Sequence, residues 1–157
     1  MNDFDYDQEK HQSAWRENSV AKEWGSQNGK QRPWILPREV WELGLWPGIR
    51  SSGQHSLPDY LEHNHIQKHD GVHNLKSSWM LSANLYFPFR EDKEMLAGFL
   101  HNYVSSLIRT VDGVELEWAG DSPLDPATLL GEPHGQRGKN QTSPDIAFIV
   151  NDAKGIV

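Results

Sequence analysis

Cysteine is absent from the 157 residues, which excludes disulfides and thiolate metal sites. Long apolar runs are missing too: none approaches the roughly 20 residues of a membrane-spanning helix. Residues 1–7 are acidic where a secretory signal would be basic, so a soluble protein of the cytoplasm is the expected setting. Apolar residues make up only 36 % of the chain and the mean hydropathy is -0.71. Both are low for one domain of this length, and with nine Pro and thirteen Gly they imply much surface arm or irregular loop. Positive charge is also scarce. Fifteen Lys and Arg stand against 22 Asp and Glu, a net charge of -7, which argues against a nucleic-acid surface spread over the whole molecule and leaves room for a local one.

What is present falls into three stretches. Residues 1–30 are polar, with Trp15 and Trp24 as the largest apolar anchors, and read as a loosely packed arm with a short helix at 14–22. Residues 31–90 form a Trp-, Pro- and His-rich helical extension. Pro37 is placed to open a short helix ending near Gly44. His65, His69 and His73 would align on one helical face as zinc ligands do, but Asp70-Gly71 breaks that helix, and solvated histidines are the expectation. Residues 75–89 are nearly continuous apolar text, read as a buried helix leading into an extended piece.

Residues 91–157 are the most regular. Glu91, Asp92 and Glu94 suit a helix start. Met95, Leu96, Phe99, Leu100, Tyr103, Val104, Leu107 and Ile108 then repeat at helical spacing, one full stripe against a sheet. Asp112-Gly113 signals a turn. Val114, Leu116 and Trp118 alternate with Glu115 and Glu117 in a strand whose acids read as an exposed edge. A long loop, 119–141, holds three Pro and a short piece of structure at 129–132.

The chain is organised around residues 142–150, Thr-Ser-Pro-Asp followed by five apolar residues. Pro144 can open a strand but not sit inside one, and Asp145 at the mouth of a buried strand needs a partner or a metal. A turn at 151–155 then leads into an antiparallel strand at Ile156. This Pro-Asp, strand, turn, strand order resembles the PD-(D/E)XK superfamily of restriction-endonuclease-like nucleases. Short motifs in the same order, from 47–50 through Asn84, 87–89, 115–117, 130–132 and 137–138 to Pro144-Asp145, are similar to a bacterial family of that superfamily.

The resemblance implies an α/β (α+β) fold with a restriction-endonuclease-like core, a helix followed by a β-meander in a mixed sheet. It implies phosphodiester hydrolysis of DNA with Mg²⁺ or Mn²⁺. Asp145 would be a metal ligand and catalytic, Glu117 the first upstream acid, with Glu132 and Glu94 as further ligand candidates. Arg137, Lys139, Asn140, Thr142 and Ser143 are candidates for phosphate and DNA contacts, in a stretch with two cations and no acid. The Glu-x-Lys half of the motif is not in the chain: the partner of Asp145 falls at about position 161. The expectations are therefore a nuclease portion, a binding module without chemistry, or a protein completed by a strand from a partner chain or second copy.

Overall fold

The computed structural model describes residues 3–19, 21–50, 55–119, 125–133, 135, 137 and 142–157. Helix α1 (Asp3–Ser19) is longer than the short segment expected and is docked. Arg16 is fully buried: its Nε donates to Pro33 O at 2.5 Å and its guanidinium to Ala21 O at 2.6 Å and Glu23 O at 3.1 Å. A buried guanidinium is tolerable only with its donors filled. Three main-chain carbonyls do so here, which folds the segment after α1 back under the helix. The β1–β2 hairpin follows, Ser26–Gln27 and Lys30–Gln31, turned by Asn28 and Gly29, both at positive φ, as a two-residue hairpin turn requires.

A 3-10 helix at Arg38–Gly44, with Pro37 as its cap, replaces the regular helix expected there. Helices α2 (Pro47–Arg50), α3 (Leu57–His63) and α4 (Ser78–Tyr86) complete the N-terminal part. Ser56 and Ser77 cap α3 and α4 through side chains that accept from Asp59 N and Met80 N, as N-caps do. α4 continues into a 3-10 turn, Phe87–Arg90, not an extended piece: Pro88 fixes a helical φ in its first turn. α3 stops at His63, so His65, His69 and His73 share no helical face.

Helix α5 (Lys93–Tyr103), capped by Asp92, precedes β3 (Val111–Leu116), α6 (Pro126–Leu130), β4 (Ile146–Val150) and β5 (Gly155–Ile156). The sheet order is β3-β4-β5, a meander that is antiparallel throughout among the described residues. Asp112-Gly113 makes no turn. It lies inside β3 as a bulge, with the register shifting between Val111 and Gly113, a common use of Gly in a strand. Asn151, Asp152 and Ala153 all take positive φ in the β4–β5 turn. The Asn151 side chain accepts from Arg109 N at 2.7 Å and donates to Leu107 O at 3.0 Å.

Two apolar clusters meet along this sheet. One joins residues of the N-terminal part, with Trp41, Leu57, Trp79 and Phe87 among them, to Leu116, with Ile146 packed against it. The other joins Leu96, Leu100 and Ile108 to Val114, Phe148 and Val150. The stripe on α5 is only half used. Leu96, Ala97 and Leu100 face the sheet, while Met95, Phe99 and Tyr103 are 61, 50 and 78 % exposed, as is Leu107 beyond the helix at 77 %. No helix among the described residues is long and apolar enough to cross a membrane.

Replacing Arg16 with Ala should destabilise the fold by about 2–3 kcal/mol, because three carbonyls lose a charged donor in a buried place. A fall in the urea midpoint at unchanged slope would register it; an unchanged midpoint would show that α1 is not anchored this way.

Candidate functional site

The β3–β4 register ends at Leu116 opposite Ile146, so the next cross-strand pair is Glu117 opposite Asp145. One hydrogen bond extends the ladder to them, Glu117 N to Asp145 O at 3.3 Å. Like charges directly opposite each other destabilise a sheet, so this pair needs compensation or a use. Glu117 carries two further burdens. Its φ is +47°, left-handed backbone that a residue with a side chain seldom adopts and that carries strain. Its side chain is buried, at 5 % exposure.

Burial pushes the Glu117 carboxyl above its ordinary value, and the charge of Asp145 adds to the rise. Opposing this are the Ser143 hydroxyl, the charge of His69 and the Trp79 indole. Ser143 Oγ donates to Glu117 Oε2 at 2.5 Å. The Trp79 indole N–H is buried with no partner at hydrogen-bonding distance and lies close enough to Glu117 to favour its charge only weakly.

Two residues earlier, in β3, Glu115 is held by cations and a phenol and is not the exposed edge acid expected. Tyr60 Oη donates to Glu115 Oε2 at 2.6 Å, and Arg137 approaches the same oxygen at 3.4 Å. Arg90 comes within 3.9 Å of Oε1 and lies over the Tyr60 ring. Burial and the Glu115 carboxylate raise the Tyr60 pKa, so the phenol keeps its proton as a donor. Tyr60 and Arg90 lie far from this strand in sequence, and no local signal marks them as its neighbours.

The remaining sequence candidates are placed as follows. Arg137 is spent on the main chain: it donates to Leu116 O at 2.7 Å and Glu117 O at 3.1 Å, fixing the strand end that carries the acid pair. Its own carbonyl accepts from Gln67 N at 2.8 Å, which brings the loop carrying His69 to the site. Glu132 clamps the entry to β4, accepting from Thr142 N at 2.9 Å and Thr142 Oγ1 at 2.8 Å. Thr142 and Ser143 therefore both hold carboxylates. Glu94 stands apart. Its neighbour Lys93 binds Asp112 O near the start of β3, about 16 Å along the strand from Glu117 at roughly 3.3 Å per residue. Lys139 and Asn140 lie outside the described residues.

Among the described residues no group of three or more His, Asp or Glu forms a metal cage. Glu117 and Asp145, with the Ser143 hydroxyl beside them, are oxygen donors on one side of the sheet end. That suits a hard cation held by one or two carboxylates with water and substrate oxygens completing its shell. Along β5, continuing the Ile149–Ile156 register by four pairs carries the partner of Asp145 to position 160, close to the position expected from the turn.

The folded protein holds the Glu117 proton to higher pH than the unfolded chain does, whose carboxyl titrates near 4.5. Its contribution to stability is therefore greatest below pH 4.5 and is lost as pH rises through the raised folded value. Glu117→Gln should flatten this part of the stability profile and raise the melting temperature at pH 8 by a few degrees. Melting curves from pH 4 to 8 that keep the wild-type slope would refute the burial argument.

No curated protein and no solved structure matches the chain significantly. A family model does match, over residues 9–157, and its description is restriction endonuclease associating with ARP. The match spans nearly the whole chain and includes both strands of the acid pair, so the chain belongs to the family of restriction endonucleases associating with ARP.

Proposed function

We propose that this chain carries part of the active site of a metal-dependent DNA endonuclease of the PD-(D/E)XK type, with Glu117 and Asp145 as its acids. The observation that carries the reading is a buried, strained glutamate set directly opposite a second carboxylate at a sheet end. A strained backbone and a like-charge pair with one buried member lower stability, and a divalent cation would relieve the repulsion on binding. Mg²⁺ or Mn²⁺ bound by Glu117 and Asp145 would supply a bound water of lowered pKa and charge stabilisation at the scissile phosphate.

The protein's own residues set the conditions. Arg137 fixes the backbone of Leu116 and Glu117, Ser143 orients the Glu117 carboxylate, and Glu132 closes the entry to β4 through Thr142. His69, from the loop tied to Arg137, lies close enough to act on the Glu117 carboxyl. The Glu and Lys that the superfamily resemblance puts opposite Asp145 have no counterpart at that register among the described residues.

Asp145→Asn and Glu117→Gln should each lower cleavage of supercoiled plasmid in Mg²⁺ or Mn²⁺ by roughly 100-fold or more. Wild-type rates in both variants would remove the acid pair from the mechanism. Cation binding needs the ionised acids, so Mg²⁺ should raise the melting temperature more at pH 8 than at pH 5.

A second element of the reading is association with the protein that the family description calls ARP. The exposed stripe of Met95, Phe99, Tyr103 and Leu107 favours it, since monomers rarely leave so large an apolar patch uncovered. Phe99 and Tyr103 pack ring to ring, 5.1 Å apart, as a preformed aromatic anchor. Phe99→Asp with Tyr103→Asp should abolish co-purification with ARP and leave plasmid cleavage intact. Retained co-purification would move the interface elsewhere.

A further inference from the structure

The β1–β2 hairpin takes no part in the site described so far, and its chemistry differs from the rest of the chain. In a protein of net charge -7, residues 22–34 hold three cations, Lys22, Lys30 and Arg32, against one acid, Glu23. Among the described residues neither Lys30 nor Arg32 forms an ion pair, and both are exposed. They lie two residues apart on extended backbone, which sends both to one side about 6.6 Å apart. Arg32 stands over the Trp34 ring at 5.6 Å. Beside it is a cavity of about 400 Å³ lined by Gln27, Asn28, Lys30, Arg32, Trp34 and Ile35.

The hairpin is rigidly mounted. Gly25, at its base, sits so close to Leu36 that a Cβ would lie 1.9 Å from the Leu36 carbonyl oxygen, and its N–H donates to Ile35 O at 2.7 Å. Asn74 donates to Gln27 Oε1 at 3.1 Å, and the His73 ring lies 3.1 Å from Ser26 O. Asn74 and His73 belong to the loop that also carries His69, beside Glu117, and Gln67, bonded to Arg137. A single loop therefore holds the hairpin at one end and the acid pair at the other.

We propose that the β1–β2 hairpin and its cavity bind the phosphodiester backbone of DNA flanking the Glu117–Asp145 site, with Lys30 and Arg32 on phosphates and the Gln27 and Asn28 amides at the adjoining groove. The nature of the ligand rests on the nuclease reading above. Unpaired cations beside an aromatic face and side-chain amides are the groups that grip nucleic-acid backbone. A two-stranded ribbon is also narrow enough to enter a DNA groove.

The test is fluorescence anisotropy of a labelled 30-base-pair duplex with the full chain in EDTA, over a range of KCl concentrations. Lys30→Gln with Arg32→Gln should weaken binding at least 10-fold at low salt and reduce the slope of log K against log salt by about 2, one per phosphate contact. Lys10→Gln with Lys154→Gln makes the same charge change elsewhere and should leave the slope near wild type. Unaltered melting temperatures would show that both pairs fold. An unchanged slope in the hairpin variant overturns the proposal, as does an equal fall in the control pair or a wild type that binds no duplex. Duplex binding by the wild type and the expected slope loss in the hairpin variant, with no cleavage in Mg²⁺ or Mn²⁺, refutes the nuclease reading and leaves the hairpin site standing.

Discussion

Three carboxylates, Glu115, Glu117 and Asp145, crowd one end of the β3–β4 pair, and much of the surrounding structure answers to that concentration of negative charge. Tyr60, Arg90 and Arg137 converge on Glu115, and Ser143 is spent on Glu117. None of them neutralises Glu117 or Asp145 by direct ion pairing among the described residues. The fold thus separates two roles within one strand. Glu115 is compensated and structural, while Glu117 and Asp145 face each other across the ladder with no ion-pair partner among the described residues.

The C-terminal order of elements was legible because its signals are local. The acidic start before Lys93, the 3.6-residue repeat, the alternation through β3 and the Pro144-Asp145 strand entry each depend on neighbours in the chain. The same locality explains the misreadings. Periodicity shows which residues of α5 are apolar but not whether a sheet is wide enough to cover them, so Met95, Phe99 and Tyr103 read as core and emerge exposed. Asp112-Gly113 carries a turn signature, and pairing with β4 absorbs it as a bulge. Arg137 looked like a free cation in a basic loop, because the two carbonyls that claim it lie about twenty residues away.

In the candidate site, Pro144-Asp145 is readable as a strand entry, while Glu117 becomes a candidate only through the family resemblance. Their exact opposition required the register of the ladder. The N-terminal hairpin escaped notice altogether: Lys30 and Arg32 are scattered cations in a polar stretch until Asn28 and Gly29 turn the chain and Gly25 seats it against Leu36. Arg16 was hidden for a related reason, since no sequence pattern announces a buried guanidinium filled by backbone carbonyls.

The turn between β4 and β5 spans few residues, but its geometry is not its own. Asn151, in left-handed backbone, is bonded to the main chain at Leu107 and Arg109, more than forty residues back. Closing so long a loop carries an entropic cost before any contact repays it. The shortest hairpin of the sheet therefore depends for its shape on contacts far away in the chain. The placement of β5 against β4 is thereby tied to the earlier half of the core.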